Sequence, residues 1–159
     1  MQRTQFGDMY CSIARTMHIA GESWSLLIVR NAMVGTTRFE DHQRMLGISR
    51  KVLTERLNWL VEHGIFERRQ YSERPPRDDY VLTDKGQELA DILFAISAWG
   101  DRWTAGEAGP PALFRHRTCG ELTHAEIRCA HCGEPLHSQD VEVTAGPGEI
   151  GRASCRERV

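Results

Sequence analysis

Hydrophobic residues recur every three or four positions through most of the first hundred residues, which is the spacing of helices that bury one face. The clearest run begins at Ser49, carries Leu53, Leu57 and Leu60 on one face, and stops at Gly64. Glycines and N-cap residues separate the runs. The pattern predicts helices over residues 11–20, 23–33, 39–46, 49–63 and 84–105, with Thr37, Ser49 and either Thr83 or Asp84 as N-caps.

A short basic two-stranded ribbon is predicted over residues 65–82, directly after the fourth helix. Pro75 and Pro76 stiffen its turn, where no ladder hydrogen bond is needed. A helix followed by a ribbon is the order of a winged helix-turn-helix, in which the helix enters the major groove and the ribbon tip reaches beside it. The predicted fold class is therefore mainly α with a small β-ribbon, arranged as a winged helix-turn-helix.

The polar side of the fourth helix and the tip of the ribbon form a candidate surface for reading DNA. The N-terminal part of a recognition helix usually meets base edges, and arginine or lysine there can contact a guanine edge or a phosphate. Arginines beside the tip are placed for backbone or minor-groove contact. The alternative is an ordinary solvated charged face. The predicted DNA-binding residues are Ser49, Arg50, Lys51, Thr54, Asn58, Arg74 and Arg77.

The last predicted helix is too apolar for one small domain to cover. A second copy of the chain is the simplest cover, and DNA-binding folds of this kind usually read two half-sites as symmetric dimers. A homodimer is therefore predicted. The apolar stripe consists of Leu89, Ile92, Leu93, Ile96, Trp99 and Trp103.

The composition limits the function classes that remain. With 159 residues, 40% of them apolar, the chain can form one ordinary domain and a small appendage, which argues against wholesale disorder. A net charge of -2 is not that of a bulk nucleic-acid binder, so DNA contact depends on the placement of individual arginines. No apolar run could cross a bilayer and Met1-Gln2-Arg3-Thr4 lacks the pattern of a signal peptide, so we expect a cytoplasmic protein with reduced cysteines.

Changes in composition along the chain indicate four segments. Residues 1–105 contain the DNA-binding and dimerisation domain, 106–111 are a linker, and 112–148 are rich in cysteine and histidine. Residues 149–159 resemble the translation of a sequencing-library adaptor (GAG ATC GGA AGA GC), and we interpret them as a non-native tail. Recloning from genomic DNA would refute this hypothesis if the same codons were recovered. Cys155 in that tail is assigned no role.

Two short sequences in the third segment repeat the spacing of metal ligands. His116 and Cys119 are separated by two residues and followed by glycine, and so are Cys129 and Cys132. This spacing lets two side chains of one tight turn face a single ion, and the four residues would form a Cys3His tetrahedral site for structural Zn2+. The other candidates for the fourth ligand are His124, His131 and His137.

Strand-like residues surround these two sequences, at 113–115 and 125–127, as in a small zinc ribbon. The segment is therefore predicted to be a zinc-ribbon-like C-terminal appendage. The alternative is a loosely ordered tail that carries three reduced cysteines. Four ligand residues at a repeated spacing favour the metal site over that alternative.

The first hundred residues resemble the HxlR-type transcriptional regulators, a group related to MarR. The resemblance covers about residues 11–103. It implies a dimeric winged helix-turn-helix that represses or activates nearby genes, with the dimer built largely from the first and last helices. The matching motifs are Cys11-Ser12-Ile13-Ala14, Gly21-Glu22-Ser23-Trp24-Ser25-Leu26-Leu27-Ile28, Arg38-Phe39, Gly47-Ile48-Ser49, Leu53-Thr54, Arg56-Leu57, Gly64, Glu67-Arg68, Pro76, Tyr80, Leu82-Thr83 and Gly86.

Cys11 is a candidate for thiol-based sensing, because the resemblance implies it. Several members of the family carry a cysteine at this position and respond through it to oxidants or electrophiles. The next residue is Ser12, where the family often has proline, so the start of this helix can differ here. The alternative is that Cys11 is a small hydrophobic residue in the protein interior.

These patterns together predict a dimeric transcriptional regulator that reads a pseudo-palindromic operator in double-stranded DNA through the helix after Ser49 and the wing. Its effector, a small molecule or an oxidant, stays open. The alternative is a protein-interaction module, with the winged helix as a scaffold and the C-terminal segment as a docking surface. An enzyme is not predicted, since no convergent nucleophile and base or open metal site is evident.

Overall fold

The computed structural model of the protein describes residues 6–149. It confirms a mainly helical chain with a small antiparallel ribbon. The helices are α1 (Ser12–Ala20), α2 (Ser25–Met33), α3 (Phe39–Leu46), α4 (Arg50–Glu62) and α5 (Asp84–Thr104), and the strands are β1 (Phe66–Glu73), β2 (Pro76–Leu82), β3 (Phe114–Arg115) and β4 (Leu122–Thr123). All of the adaptor-like tail except Glu149 lies outside the described residues.

The described chain forms two compact units, one of residues 6–90 with 145–149 and one of residues 91–144. The boundary between them falls inside α5. The segment limits proposed from composition stay a prediction. Residues 106–111, with the sequence GEAGPP, come shortly after the end of α5 and contain no helix or strand. Within residues 6–149, every helix is too short or too polar to span a membrane.

The core of the first unit is built mainly on α2 and α4. Ile28 of α2 and Leu53, Leu57 and Leu60 of α4 are fully buried. The apolar face predicted for the fourth helix is therefore its packing face, and the opposite face of α4 is left in solvent. Truncating one of these leucines to alanine would lower the free energy of unfolding by about 2–5 kcal/mol.

Hydrogen bonds at the helix ends explain where α4 and α5 begin. The Ser49 hydroxyl accepts from the backbone N–H of Val52 at 3.2 Å, as an N-cap does. The Thr83 hydroxyl accepts from the Gly86 N–H at 3.1 Å, so Thr83 caps α5. Of the two N-caps predicted for this helix, Thr83 and Asp84, it is Thr83 that makes the bond. Glycine is required at position 86 because an added Cβ would lie 2.1 Å from the carbonyl oxygen of Ile65.

Thr37 does not cap α3, and the prediction that it would is wrong. Arg38 occupies the N-cap position and makes no side-chain cap bond. The Thr37 hydroxyl instead donates to Asp79 at 3.1 Å, and the Thr37 carbonyl accepts from the Tyr80 N–H at 2.8 Å. The segment before α3 is thus attached to β2, and a tertiary contact uses the hydroxyl that a local cap would need.

The wing is the antiparallel pair β1 and β2. Phe66 pairs with Leu82 at its base and Glu73 pairs with Pro76 at its tip. The register shifts between Gln70 and Ser72, as at a β-bulge, which increases local twist. Phe66 is buried, whereas the rest of β1 is almost entirely in solvent. The wing is therefore anchored at its base and exposed at its tip.

The second unit contains the small hairpin of β3 and β4. Phe114 packs edge-on against Phe94 of α5, with ring centroids 4.9 Å apart. The strand expected over residues 113–115 is present at its last two positions. Residues 125–127 form no strand; an isolated bridge between Arg128 and Pro135 stands beside them. Beyond that bridge the Leu136 N–H donates to the Ile127 carbonyl at 2.9 Å, so the backbone pairing reaches Ile127 without forming a strand there.

Candidate nucleic-acid interface

The exposed face of α4 carries four of the predicted DNA-binding residues, Arg50, Lys51, Thr54 and Asn58. All four are exposed, whereas the leucines of α4 are buried. Ser49 precedes them, and its hydroxyl is used by the N-cap bond described above. The end of α4 that carries Ser49 also presents unpaired backbone N–H groups, which favour a phosphate.

Arg50 and Lys51 are held to different degrees. The Arg50 guanidinium lies over the ring of Phe39, 4.7 Å from its centroid. Stacking orients this planar group, and an oriented guanidinium suits bidentate contact with a guanine edge. Lys51 is exposed, and the described chain offers it no ion-pair partner within 4.0 Å. A flexible ammonium of that kind suits a phosphate.

Arg68 of β1 joins α4 to the wing. Its guanidinium donates to the side-chain oxygen of Asn58 at 2.5 Å and lies 5.9 Å from the ring centroid of Tyr80. Arg68 was not among the residues predicted to bind DNA. Its place could not be read from the sequence, because the contact depends on how the wing folds back toward α4. The bond aligns Asn58 with the basic surface of the wing.

Asp79, which would repel DNA phosphates, is paired within the protein. Its carboxylate accepts from Thr37 and lies 3.8 Å from the Arg38 guanidinium. Arg38 in turn lies over the ring of Tyr71, 4.2 Å from its centroid. The cluster fixes β2 to the start of α3 and neutralises an acidic group on the wing.

The wing tip carries the two remaining predicted residues, Arg74 and Arg77, and both are exposed. In the part of the chain that the structure describes, neither has a carboxylate within 4.0 Å. Arg69 differs, because Glu67 holds it at 2.5 Å. Within the wing, Arg74 and Arg77 are thus available to a phosphate, whereas Arg69 is already neutralised.

Arg56 lies on α4 but points into the protein. Its side chain is 9% exposed and its guanidinium lies 3.7 Å from the carboxylate of Glu22. On the next turn, the indole N–H of Trp59 donates to the Ile19 carbonyl at 3.0 Å. These contacts tie α4 to the end of α1 and the turn that follows it, and they fix the orientation of its exposed face.

His42 of α3 is a fully buried polar residue in this unit, edge-on to Phe66 with ring centroids 6.4 Å apart. Burial is the main cause that lowers the pKa of His42 from 6.5 to about 4. The Thr36 backbone and the Asp41 carboxylate raise the pKa, but their effects are smaller. The ring is therefore neutral at physiological pH.

Acidification should weaken the fold through His42. The unfolded chain takes up a proton near pH 6.5 and the folded chain only near pH 4, so the stabilising contribution is complete above pH 6.5 and is lost as the pH falls toward 4. Between pH 7.5 and 5 the free energy of unfolding should drop by about 2 kcal/mol from this group. Urea titrations of the wild type and of His42→Leu measure the difference, and the exposed His137→Ala serves as control. Equal pH dependence in wild type and His42→Leu would contradict the assignment.

Large apolar side chains are exposed on α5 and α1. On α5, Ile92, Ile96, Trp99 and Trp103 are 51%, 46%, 62% and 69% exposed, and they follow one another at helical spacing. Ile13 of α1 is likewise exposed. An exposed apolar stripe of this size marks an interaction surface.

Cys11 lies at the N-cap position of α1 and is half-buried. Its backbone is extended and its side chain makes no capping hydrogen bond. Its carbonyl accepts from the Arg15 N–H at 3.0 Å. The thiol therefore stands next to the first turn of a helix without being enclosed by the core.

The predicted metal ligands form two pairs. In the first, the Cys119 sulfur lies 3.4 Å from Nδ1 of His116. In the second, the backbone N–H groups of Cys132 and His131 lower the pKa of Cys129, and the Cys132 thiol adds to the effect. Within residues 6–149, no three side chains of the ligand-forming types are gathered around one point.

Comparison with known proteins places these features in a family. Residues 19–108 match the HxlR-like helix-turn-helix family. An HTH-type transcriptional regulator of Mycobacterium tuberculosis strain H37Rv is 42% identical over 137 residues, which are 86% of this chain and 87% of that protein. The crystal structure of PA1607, described as a transcription factor, has a TM-score of 0.80 at 33% identity and covers 90% of this chain and 100% of PA1607. The redox regulator HypR in its oxidized form has a TM-score of 0.54 at 29% identity, over 58% of this chain and 95% of HypR.

The family match covers more than half of the chain, and the relatives are transcriptional regulators rather than enzymes. The predictions of family and of a non-enzymatic function are therefore confirmed. The similarity to PA1607 covers 90% of this chain, which is a larger share than residues 1–111 alone make up. The matched region must therefore include part of the C-terminal segment. The chain belongs to the HxlR-like helix-turn-helix family, and it is a transcriptional regulator.

Proposed function

We propose that the protein is a homodimer that reads a pseudo-palindromic operator in double-stranded DNA through α4 and the wing, residues 65–82. The observation that carries this proposal is the bond between Asn58 and Arg68, which joins the exposed face of α4 to the wing. Helix and wing thereby present one basic surface to the DNA. The exposed polar residues of this surface are Ser49, Arg50, Lys51, Thr54, Asn58, Arg68, Arg74 and Arg77.

The net charge of -2 does not oppose this assignment, because two of the acidic groups near the surface are paired within the protein. Asp79 is held by Thr37 and Arg38, and Glu67 is held by Arg69. Cations without internal partners then dominate the local potential, which is what attracts a phosphate backbone.

Within this surface we assign different tasks to the two elements. Arg50, oriented by Phe39, reads a base edge in the major groove, and Thr54 and Asn58 lie along the same face. Lys51 contacts a phosphate. Arg74 and Arg77 contact the DNA backbone or the minor groove beside the recognition helix.

The homodimer is supported by the exposed stripe on α5. A symmetric pair of chains would cover Ile92, Ile96, Trp99 and Trp103 of both copies, and the same pairing would present two α4 helices to two half-sites. Half-sites one DNA turn apart, or a multiple of it, are the expected spacing.

Removing an arginine from the wing tip should weaken DNA binding and make it less dependent on salt. The slope of log affinity against log salt should become shallower by about 0.9 for each phosphate contact that is lost. A dimer of the Arg77→Ala variant loses two such contacts, one from each subunit. The measurement is a salt titration of binding to the DNA that footprinting identifies upstream of the gene. Arg74→Ala should act in the same direction.

Arg69→Ala is the matched control, because it removes the same charge from the same strand pair at a residue already neutralised by Glu67. It should leave the salt slope unchanged. If the wild type showed no salt-dependent retention on this DNA, the protein would instead be an interaction module that uses the winged helix as a scaffold.

We further propose Cys11 as a thiol that controls DNA binding. It stands half-buried at the start of α1, and HypR, described as a redox regulator, shares the fold. Hydroperoxide or an alkylating electrophile should release the wild type from the operator, whereas Cys11→Ser should stay bound. Cys155→Ser is the control thiol variant and should still be released. Release of Cys11→Ser to the same extent as the wild type would contradict a role for this thiol.

A further inference from the structure

Residues 114–123 and 127–136 are two copies of one short structure. In each copy an arginine is followed by a metal-ligand residue, two other residues, and then cysteine, glycine and glutamate. The copies place His116 in the position of Cys129, and Cys119 in the position of Cys132. The two sequences are Arg115-His116-Arg117-Thr118-Cys119-Gly120-Glu121 and Arg128-Cys129-Ala130-His131-Cys132-Gly133-Glu134.

The backbone hydrogen bonds of the two copies correspond one to one. In the first copy the His116 N–H donates to the Glu121 carbonyl at 2.9 Å, and the Gly120 N–H donates to the His116 carbonyl at 2.8 Å. The same positions of the second copy are joined at 2.8 Å and 2.9 Å. The glycines that close the turns have φ angles of 78° and 76°, in the left-handed region that favours glycine.

The strand pairs and the arginines correspond as well. Arg115 pairs with Leu122 in the first copy, and Arg128 forms its bridge with Pro135 in the second. The Arg115 guanidinium donates to the carbonyl of the glycine in its own turn, and the Arg128 guanidinium does the same at 2.9 Å. Each copy is therefore a complete knuckle, a turn that presents two ligand side chains.

The distance within the first knuckle fits one metal ion. A tetrahedral zinc ion with Zn–S of about 2.3 Å and Zn–N of about 2.05 Å separates sulfur from nitrogen by about 3.6 Å. The observed distance from the Cys119 sulfur to Nδ1 of His116 is 3.4 Å. The pair is thus spaced for shared coordination.

A packed core does not hold this segment together. From residue 112 to residue 144 every side chain is exposed except Phe114, Ala125 and Cys129, which are half-buried. Small segments that bury so little apolar surface usually depend on a disulfide or a metal for a fixed structure. A metal ion at the two knuckles would supply that link.

We propose that His116, Cys119, Cys129 and Cys132 bind one structural Zn2+ ion that joins the two knuckles. The repeat selects His116 as the fourth ligand, because it occupies the position that Cys129 has in the second knuckle. His131 is an intervening residue of that knuckle, and His124 and His137 lie outside both turns. Four protein ligands leave no open position, so the site is structural. Because the described residues hold the ligands in two pairs, binding requires the two knuckles to approach one another.

The test is metal analysis of the full chain, purified without a histidine tag. About one zinc per chain is expected, and replacement by Co2+ should give the strong thiolate-to-metal absorption and visible bands of a tetrahedral site with three sulfurs and one nitrogen. Cys129→Ser and Cys119→Ser should each lose the metal. His116→Ala should bind it at least about tenfold more weakly.

Matched controls separate this site from the other candidates. Cys11→Ser, His124→Ala, His131→Ala and His137→Ala should retain about one zinc per chain. A wild-type chain that holds no zinc and gives no thiolate-to-cobalt absorption would overturn the proposal, and this measurement does not depend on any variant folding. Unchanged metal affinity in His116→Ala would overturn the assignment of the fourth ligand.

Discussion

Replacing Trp99 with glutamate is expected to convert the protein from a dimer to a monomer and to lower its affinity for the operator more than about 100-fold. Trp99 lies in the exposed stripe of α5, between Ile96 and Trp103, and 62% of it is exposed in the single chain. In the proposed homodimer this indole is buried against the partner. The substitution would put a carboxylate in its place.

The size of the expected effect follows from burial. Each large apolar side chain removed from water contributes about 1.5–3 kcal/mol, and a symmetric interface contains the stripe twice. An unpaired carboxylate buried at its centre opposes association by several kcal/mol. A monomer then binds one half-site at a time and loses the gain that linked half-sites provide.

Light scattering after gel filtration measures the oligomeric state, and electrophoretic mobility shift measures operator binding. Gln87→Glu is the matched control, since it places the same charge at an exposed position on another face of α5. It should remain dimeric and bind as the wild type does. A Trp99→Glu protein that stayed dimeric would show that the subunits associate through another surface.

Local signals in the sequence predicted most of the DNA-binding fold. The capping hydroxyl of Ser49, the leucine spacing of α4 and the stop at Gly64 act within a few residues, so the limits of α4 could be read directly from the chain. Thr83 capped α5 for the same reason. The wing followed because its proline-containing turn separates two strand-like runs.

Features that depend on distant residues could not be predicted. Thr37 binds Asp79, 42 positions away, instead of capping α3. Arg56 resembles the other cations of α4 in sequence, yet its position on the helix turns it toward Glu22. Arg68 reaches Asn58 only because β1 folds back toward α4.

In the C-terminal segment the sequence indicated both knuckles and the repeat of their ligand spacing, but not the backbone hydrogen bonds that the two turns share. Ligand spacing predicted two turns that each present two side chains, and the structure has both turns. The equivalence of His116 and Cys129 emerges from matching backbone hydrogen bonds, which ligand spacing does not specify. The strand predicted at residues 125–127 is absent, and of these three residues only Ile127 takes part in the backbone pairing of the second turn, accepting from the Leu136 N–H at 2.9 Å.

Substituting both Arg50 and Lys51 with alanine is expected to abolish the preference for the operator over unrelated DNA. A bidentate contact with a base contributes about 1–3 kcal/mol of discrimination, and the dimer makes it twice. The ratio of the two affinities should therefore fall at least about 30-fold. Competition binding at one fixed salt concentration measures this ratio.

The two single variants should show which residue provides operator preference and which provides general affinity. Arg50→Ala should lower the preference for the operator, whereas Lys51→Ala should weaken binding to both DNAs alike, because a phosphate carries no sequence information. Phe39→Leu keeps every charge but removes the ring under the Arg50 guanidinium, so it should also lower the preference.

Arg44→Ala is the control for charge alone, since Arg44 is an exposed arginine on α3 that is paired with Asp41. It removes the same positive charge as Arg50→Ala and should change neither affinity. If Arg44→Ala lowered operator binding as much as Arg50→Ala, overall charge would govern binding and Arg50 would not be a base reader. If Phe39→Leu had no effect while Arg50→Ala did, Arg50 would reach its base without the support of the ring. If Arg50→Ala and Phe39→Leu both lost the preference for the operator and Arg44→Ala kept it, the fold would be shown to orient Arg50 for recognition before the DNA binds.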